Sequence, residues 1–415
     1  MRRYLVPVLL SLLACDDDDA RGVVTLDSAV VGPSMDAFVN PDQDATCATS
    51  TLTDFDDDGF TRTWGDCNDC DRNIGPAAYD FPGNGIDEDC DGRDATLVDQ
   101  ICDTTLDDDD LEPLDAMRAF GLCGPRNSAA SGRQGLNAVS LLRLDASKQG
   151  LADPRQLWLP ERFGQILPRE GARMLVLSTG VARDSKARDY TPECDVFGGM
   201  LDTGSAWAGG VPPPKGFPRD SRACGNKPIS TGALAYDDVV VELELRAPFN
   251  ASAFSFDSMF LTYEYPDFVC SQYNDFFVVL MDPAPDQADD NDNILFDANE
   301  DAIGVNSALL SVCETAEPRR VARTIACEQG KDLLKDTGYG AKEATCGAPR
   351  NGKDLGGAAT GWLHTEMPVR AGRTFTLRFV LWDSGDPLLD STVLLDNFRW
   401  LNTAPSGNTV PISSR

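Results

Sequence analysis

Asp54, Asp56 and Asp58 alternate along the chain and are followed by Gly59 and Phe60. Asp87, Asp89 and Asp91 repeat the spacing further on, followed by Gly92 and Asp94. Carboxylates at every second position of a tight loop converge on one hard cation. The glycine permits the turn that lets a main-chain carbonyl, here that of Phe60, join them. Neither loop is a full EF-hand, because Gly65 and Val98 stand at position 12, where a bidentate glutamate would close the site. In each loop an aspartate, Asp66 or Asp99, comes one residue later. The loops therefore use a longer closure or share a carboxylate from the neighbouring "DCND". The expected metal ligands are Asp54, Asp56, Asp58, Phe60, Asp66, Asp87, Asp89, Asp91 and Asp94.

Blocks of like charge are ordinarily solvated linkers. This segment also carries Cys67, Cys70 and Cys90, the aromatics Phe60, Trp64, Tyr79 and Phe81, and glycines at turn positions, none of which a linker needs. A folded metal loop is the better reading. An all-carboxylate donor set suits Ca²⁺, whereas copper wants imidazole or thiolate and the only histidine is His364. Zinc through Cys67 and Cys70 would require reduced thiols, and outside the cytoplasm disulfides are expected instead.

The run "DFDDDGF...GDCNDCDRNIGPAAYDFPGNGIDEDCDG" resembles the metal-binding motif of bacterial surface proteins, a family named after a methanotroph copper-binding surface protein. The resemblance implies a DxDxDG loop, a DCxD, an Asn/Pro/Gly stretch and a closing DxDCDG. This chain adds Cys70 and lacks the cysteine usual where "YDFPG" stands, which implies that Cys70 takes over that disulfide. The family's copper label does not carry over, because this segment has no histidine.

The elements that must hold these loops are β-strands. "DDVVVELELRAP" places Val241, Leu243 and Leu245 on one face, and "RTFTLRFVLW" does the same with Phe375, Leu377, Phe379 and Leu381. "RMLVLSTGVA", "AFSFDSMFLTYEYP", "DFFVVLMD", "ALLSVC" and "STVLLDNFRW" are further strands, and "LDAMRAFGLC" one short helix. The fold class expected is mainly β: a small acidic disulfide and metal-loop module followed by a large antiparallel, jelly-roll-like β-sandwich. The boundaries read as a lipoprotein signal peptide at 1–14, a flexible acidic tether at 15–50 and the metal module at 51–95. A linker at 96–114, the sandwich at 115–401 and a polar tail at 402–415 follow.

Segments of the large domain, "EYPDF...YND" and "WDSGD...LDS.VLLDNF" above all, are similar to the choice-of-anchor L domain of bacterial surface proteins, over roughly residues 115 to 401. Members of that family differ in how they are attached. Here the N-terminus supplies the attachment: two arginines, an apolar run from Tyr4 to Ala14, and Leu12-Leu13-Ala14-Cys15, which resembles a lipobox. The run is too short to span a bilayer and fits the h-region of a secretory signal, and the lipobox resemblance implies lipidation of Cys15, with the membrane a partner through that lipid. An ordinary cleaved signal with a spare cysteine is the alternative. The 13 cysteines agree with lipidation, since setting Cys15 aside leaves twelve, enough for six disulfides whose pairing the sequence does not assign.

A net charge of −31 repels phosphate backbones and argues against nucleic acid as a partner. No GxSxG, HExxH or phosphate-cradling loop is present, and a Ser-His-Asp hydrolase would have to use His364. Glu264, Asp383 and Asp386 would be the carboxylates of a glycosidase. Asp383, Asp386, Asp390 and Asp396 form a second candidate cation site, although solvated turns explain them equally well. The expectation is a non-enzymatic, lipid-anchored protein of the bacterial cell envelope. It binds Ca²⁺ and presents its sandwich to an extracellular polysaccharide or protein. A hydrolase with an accessory metal module and a copper scavenger are the competing readings.

Overall fold

The structure, a computed structural model, describes residues 24–25, 50–107, 112–123, 135–142, 144, 153–190, 210–225, 233–315, 323–340, 356–403, 405 and 407–412. The signal peptide and Cys15 lie outside the described residues, as does nearly all of the tether.

Two antiparallel sheets pack face to face, so the chain is mainly β as expected. In chain order the strands are β1 (Val24–Thr25), β2 (Gly135–Leu142), β3 (Leu157–Trp158), β4 (Leu175–Ser178), β5 (Ala235–Arg246), β6 (Ala253–Thr262) and β7 (Phe276–Asp282). They continue as β8 (Ile303–Gly304), β9 (Ala358–Ala359), β10 (Leu363–Pro368), β11 (Thr374–Ser384), β12 (Ser391–Leu401) and β13 (Asn408–Pro411). One sheet runs β1-β2-β5-β11-β7-β8. The other runs β13-β10-β6-β12-β4-β3, with β9 on β6. Strands β5, β6 and β7, and again β10, β11 and β12, pass from sheet to sheet, which gives the jelly-roll-like character.

Alternation decides which side chains meet between the sheets. Val241, Leu243 and Leu245 of β5 face inward beside Phe375, Leu377, Phe379 and Leu381 of β11, their partners in register. Phe254, Phe256 and Phe260 of β6 and Val393 and Leu395 of β12 meet them from the second sheet. Burying each such side chain contributes about 1.5–3 kcal/mol. The outer faces are covered as well. Val380 and Trp382 pack under Phe217, and Met259, Leu261 and Leu394 under Trp158, Leu334 and Tyr339. Covering on both faces explains why β6 is apolar without clean alternation.

Residues outside the span 115–401 also pack or pair with the sandwich. Within the span 96–114, read as a linker, some described residues pack against the sandwich: Leu106 is buried, and buried Asp103 accepts the amides of Ala172 and Arg173. The helix α1 (Pro113–Ala119) starts with proline in its first turn and buries Ala116, Met117 and Ala119 in the sandwich core. "ALLSVC" is not a strand; only Val312 within it bridges, to Gly330 and Ala359. Val24–Thr25, inside the expected tether, pairs with β2, and the polar tail contributes β13 to the edge of β10.

Candidate metal centre

In the first loop, Asp54, Asp56 and Asp58 bring one carboxylate oxygen each within 4.8 Å of one another, and Asp56 does the same with Asp66 and Asp69. A main-chain amide donates to one oxygen of every one of these side chains. Gly59 N–H donates to Asp54 Oδ2 (3.0 Å), Asp58 N–H to Asp56 Oδ1 (3.1 Å) and Phe60 N–H to Asp58 Oδ1 (2.7 Å). Asn68 N–H donates to Asp66 Oδ1 (2.8 Å), and Phe55 N–H reaches across the loop to Asp69 Oδ1 (2.8 Å). The second oxygens, Asp54 Oδ1, Asp56 Oδ2, Asp58 Oδ2, Asp66 Oδ2 and Asp69 Oδ2, are buried without a hydrogen-bond partner. Buried polar atoms are normally satisfied. Five orphaned carboxylate oxygens from one loop, with Asp56 common to the groupings of the other four residues, are therefore a donor set for a cation.

The electrostatics agree. Burial, reinforced by the neighbouring aspartates, pushes Asp56 up to about 6 and Asp58 and Asp66 up to about 7. A bound divalent ion would reverse that cost.

The second loop gathers Asp80, Asp87, Asp89 and Asp91 within the same 4.8 Å limit. Asp91 N–H and Gly92 N–H donate to the two oxygens of Asp87 (3.0 Å each), and Asp80 Oδ1 is buried and unpartnered. Burial raises Asp80 to about 8, helped by its hydrogen bond with Glu88, and Asp89 to about 7. Asp94 is placed elsewhere: its two oxygens accept Gly83 N–H and Gly85 N–H and close a turn. Asp69 and Asp80 are the members that sequence reasoning left out. "DCND" pointed towards the first; nothing in the local spacing pointed to the second.

The Cys67–Cys90 disulfide ties the two loops together. Cys70 is disulfide-bonded too, so neither cysteine of the CxxC offers zinc a thiolate. The module is also fixed to the sandwich. Asn250, in the β5–β6 connection, accepts Tyr79 N–H and donates to the carbonyls of Asn73 and Tyr79. Between these points, a Cβ on Gly75 would lie 2.2 Å from Asp58 Oδ2. Gly75→Ala is thus expected to lower stability by about 1–3 kcal/mol and to weaken the response to calcium, read by urea denaturation with and without the ion.

The other singled-out groups separate. Asp383 and Asp390 are buried at one end of the sandwich with half-buried Asp386 near them. Asp396 does not join them, because six residues of extended strand put it roughly 20 Å from Asp390. There it accepts the amides of Arg169, Glu170 and Asn397. His364 has Nδ1 against Asp257 (2.6 Å) and Nε2 against Glu366 (3.2 Å), so both ring nitrogens are engaged by carboxylates and neither faces a serine hydroxyl.

Residues 200–398 match the choice-of-anchor L domain. That is just under half of the chain, and it starts later than residue 115. β2, β3 and β4 precede the matched span yet pair within the same two sheets, so the folded unit is larger than the match. No curated protein and no solved structure matches the chain. The domain match points to a surface-associated protein, and among the described residues no helix is long and apolar enough to cross a membrane.

Proposed function

We propose that this is a non-enzymatic bacterial surface lipoprotein whose acidic module binds Ca²⁺ and thereby braces a sandwich that engages an extracellular polysaccharide or protein. The observation that carries the metal half is the set of five buried, unpartnered carboxylate oxygens of Asp54, Asp56, Asp58, Asp66 and Asp69. Oxygen-only donors on a glycine-turned loop favour a hard, loosely coordinated ion. The nearest cysteines are in disulfides, and the one histidine is held by Asp257 and Glu366, which leaves copper without soft ligands in the cluster. The domain match supports surface association, and the Cys15 motif supports a lipid as the means.

Calcium titration of the melting curve tests this reading. For sites of ~10⁻⁴ to 10⁻³ M affinity, 10 mM calcium adds about 1.4–2.7 kcal/mol per site. The pH dependence has a defined sign. Asp56, Asp58, Asp66 and Asp89 have folded-state values raised above 3.8. Without the ion their contribution is present below about pH 4 and is lost as pH rises through 6 to 7. Calcium binds only the ionised groups, so its stabilisation grows over the same interval. A melting temperature indifferent to calcium at pH 8 would remove the loops' role. For the anchor, Cys15→Ser is expected to move the protein from the membrane fraction to the soluble one, scored by fractionation and immunoblotting; retention in membranes would contradict lipidation.

A further inference from the structure

The inward-facing rows of the sandwich do not end in apolar residues. Asp383 extends the row Phe375, Leu377, Phe379 and Leu381 by one step, and Asp275 precedes the row Phe277, Val279 and Met281. Opposite them Ser391 precedes Val393 and Leu395, and its hydroxyl donates to Asp275 Oδ2 (2.7 Å). Asp390 is buried beside this layer, pressed against Gly180, where a Cβ would lie 1.6 Å from Asp390 Oδ2. Asp237 sits at a β-bulge of β5 with φ 45°, and Asp386 follows the end of β11; both are half-buried and open the layer to solvent.

Among the described residues, Asp275 and Asp383 have no cation beside them to offset their burial. Asp275 Oδ1 accepts Ser384 N–H (3.1 Å), but both oxygens of the wholly buried Asp383 lack a hydrogen-bond partner of good geometry. The Thr179 hydroxyl offsets only part of its burial. The leading influences on Asp275 and Asp383 are burial, other aspartates and hydroxyl or amide donors, with no lysine or arginine among them. Buried charges of one sign persist only if neutralised.

We propose that this end layer is a third cation site, where a hard divalent ion such as Ca²⁺ is held by the carboxylates of Asp275, Asp383 and Asp390, with Asp237 and Asp386 guarding its solvent edge. The oxygens are spread more widely than in the two acidic loops, so the ion draws them inward from both sheets. It would brace the sandwich at this end independently of the module.

The test uses the full chain carrying Asp58→Asn, Asp66→Asn, Asp87→Asn and Asp89→Asn, which silences both loops. Equilibrium dialysis in millimolar calcium is expected to find one ion still bound per chain, and the melting temperature is expected to rise with calcium. Adding Asp383→Asn is expected to abolish both. A folded, loop-silenced chain that binds no calcium and melts identically in chelator would overturn the proposal. It would mean that protonation of the carboxylates neutralises the layer instead. That measurement stands even if the Asp383→Asn variant does not fold. Failure of the loop reading is distinguishable, since the wild-type and loop-silenced chains would then bind equal amounts.

Discussion

Phe120→Ala is expected to destabilise the protein by about 3–5 kcal/mol, the range for emptying an aromatic site in a packed core. Phe120 lies just beyond α1, where a sequence reading places the entrance to the large domain. Its ring packs against Phe379 of one sheet and against Phe256 and Phe398 of the other, with centroids 5.3, 6.1 and 5.5 Å away. A single side chain thus wedges both sheets, and little around it can collapse into the space it leaves. Gly121 fixes its position: the residue has φ 96°, and a Cβ there would meet the main chain of Phe398 at 2.9 Å. The Cys102–Cys123 disulfide closes the same segment. The contrasting variant is Leu97→Ala. Leu97 is 66% exposed, and its loss is expected to shift stability by no more than about 0.5 kcal/mol. Urea denaturation of the two variants measures both effects; equal, small losses would mean that Phe120 does not belong to the core.

Cys67→Ser is the second large change. The bond to Cys90 closes a loop of 23 residues, and its loss releases about 3 kcal/mol of chain entropy into the unfolded state. The consequence for function is greater than that figure. Asp66 and Asp69 flank Cys67, and Asp87, Asp89 and Asp91 surround Cys90, so the disulfide fixes the separation of the two donor sets. The variant is expected to lose calcium-dependent stabilisation along with the bond, so that melting curves with and without the ion coincide. Full retention of the calcium response would show that each loop organises itself without the other.

The longer alternating strands were legible, although β2 and β10 were not among the strand candidates read from the sequence. β5 and β11 show this best, because each is buried on its inner face while polar side chains such as Glu242, Glu244 and Arg378 partly reach solvent. β1 and β13 were not, since Val24–Thr25 and Asn408–Pro411 are too short for a period and are strands only because β2 and β10 offer them an edge. The candidate site was legible as alternating carboxylates. Its completion was not: Asp69 enters through a hydrogen bond from Phe55, and Asp80 through chain folding outside the DxDxDG spacing. Asp94 lies outside the gathered group, where its two oxygens accept Gly83 N–H and Gly85 N–H, a use of a carboxylate after a glycine turn that spacing does not distinguish from metal binding. The acidic span beginning at Asp103 looked solvated by composition. Composition carries no trace of the Ala172 and Arg173 amides that make burial of that carboxylate favourable.

The central claim is that the first acidic loop is a calcium site. Direct measurement of bound calcium by equilibrium dialysis at pH 8, on the wild-type chain and on Asp66→Asn, tests it most directly. The account predicts that the variant, while remaining folded by circular dichroism, binds one ion fewer per chain at millimolar calcium. Equal calcium content in the two folded proteins, or none in either, would contradict it.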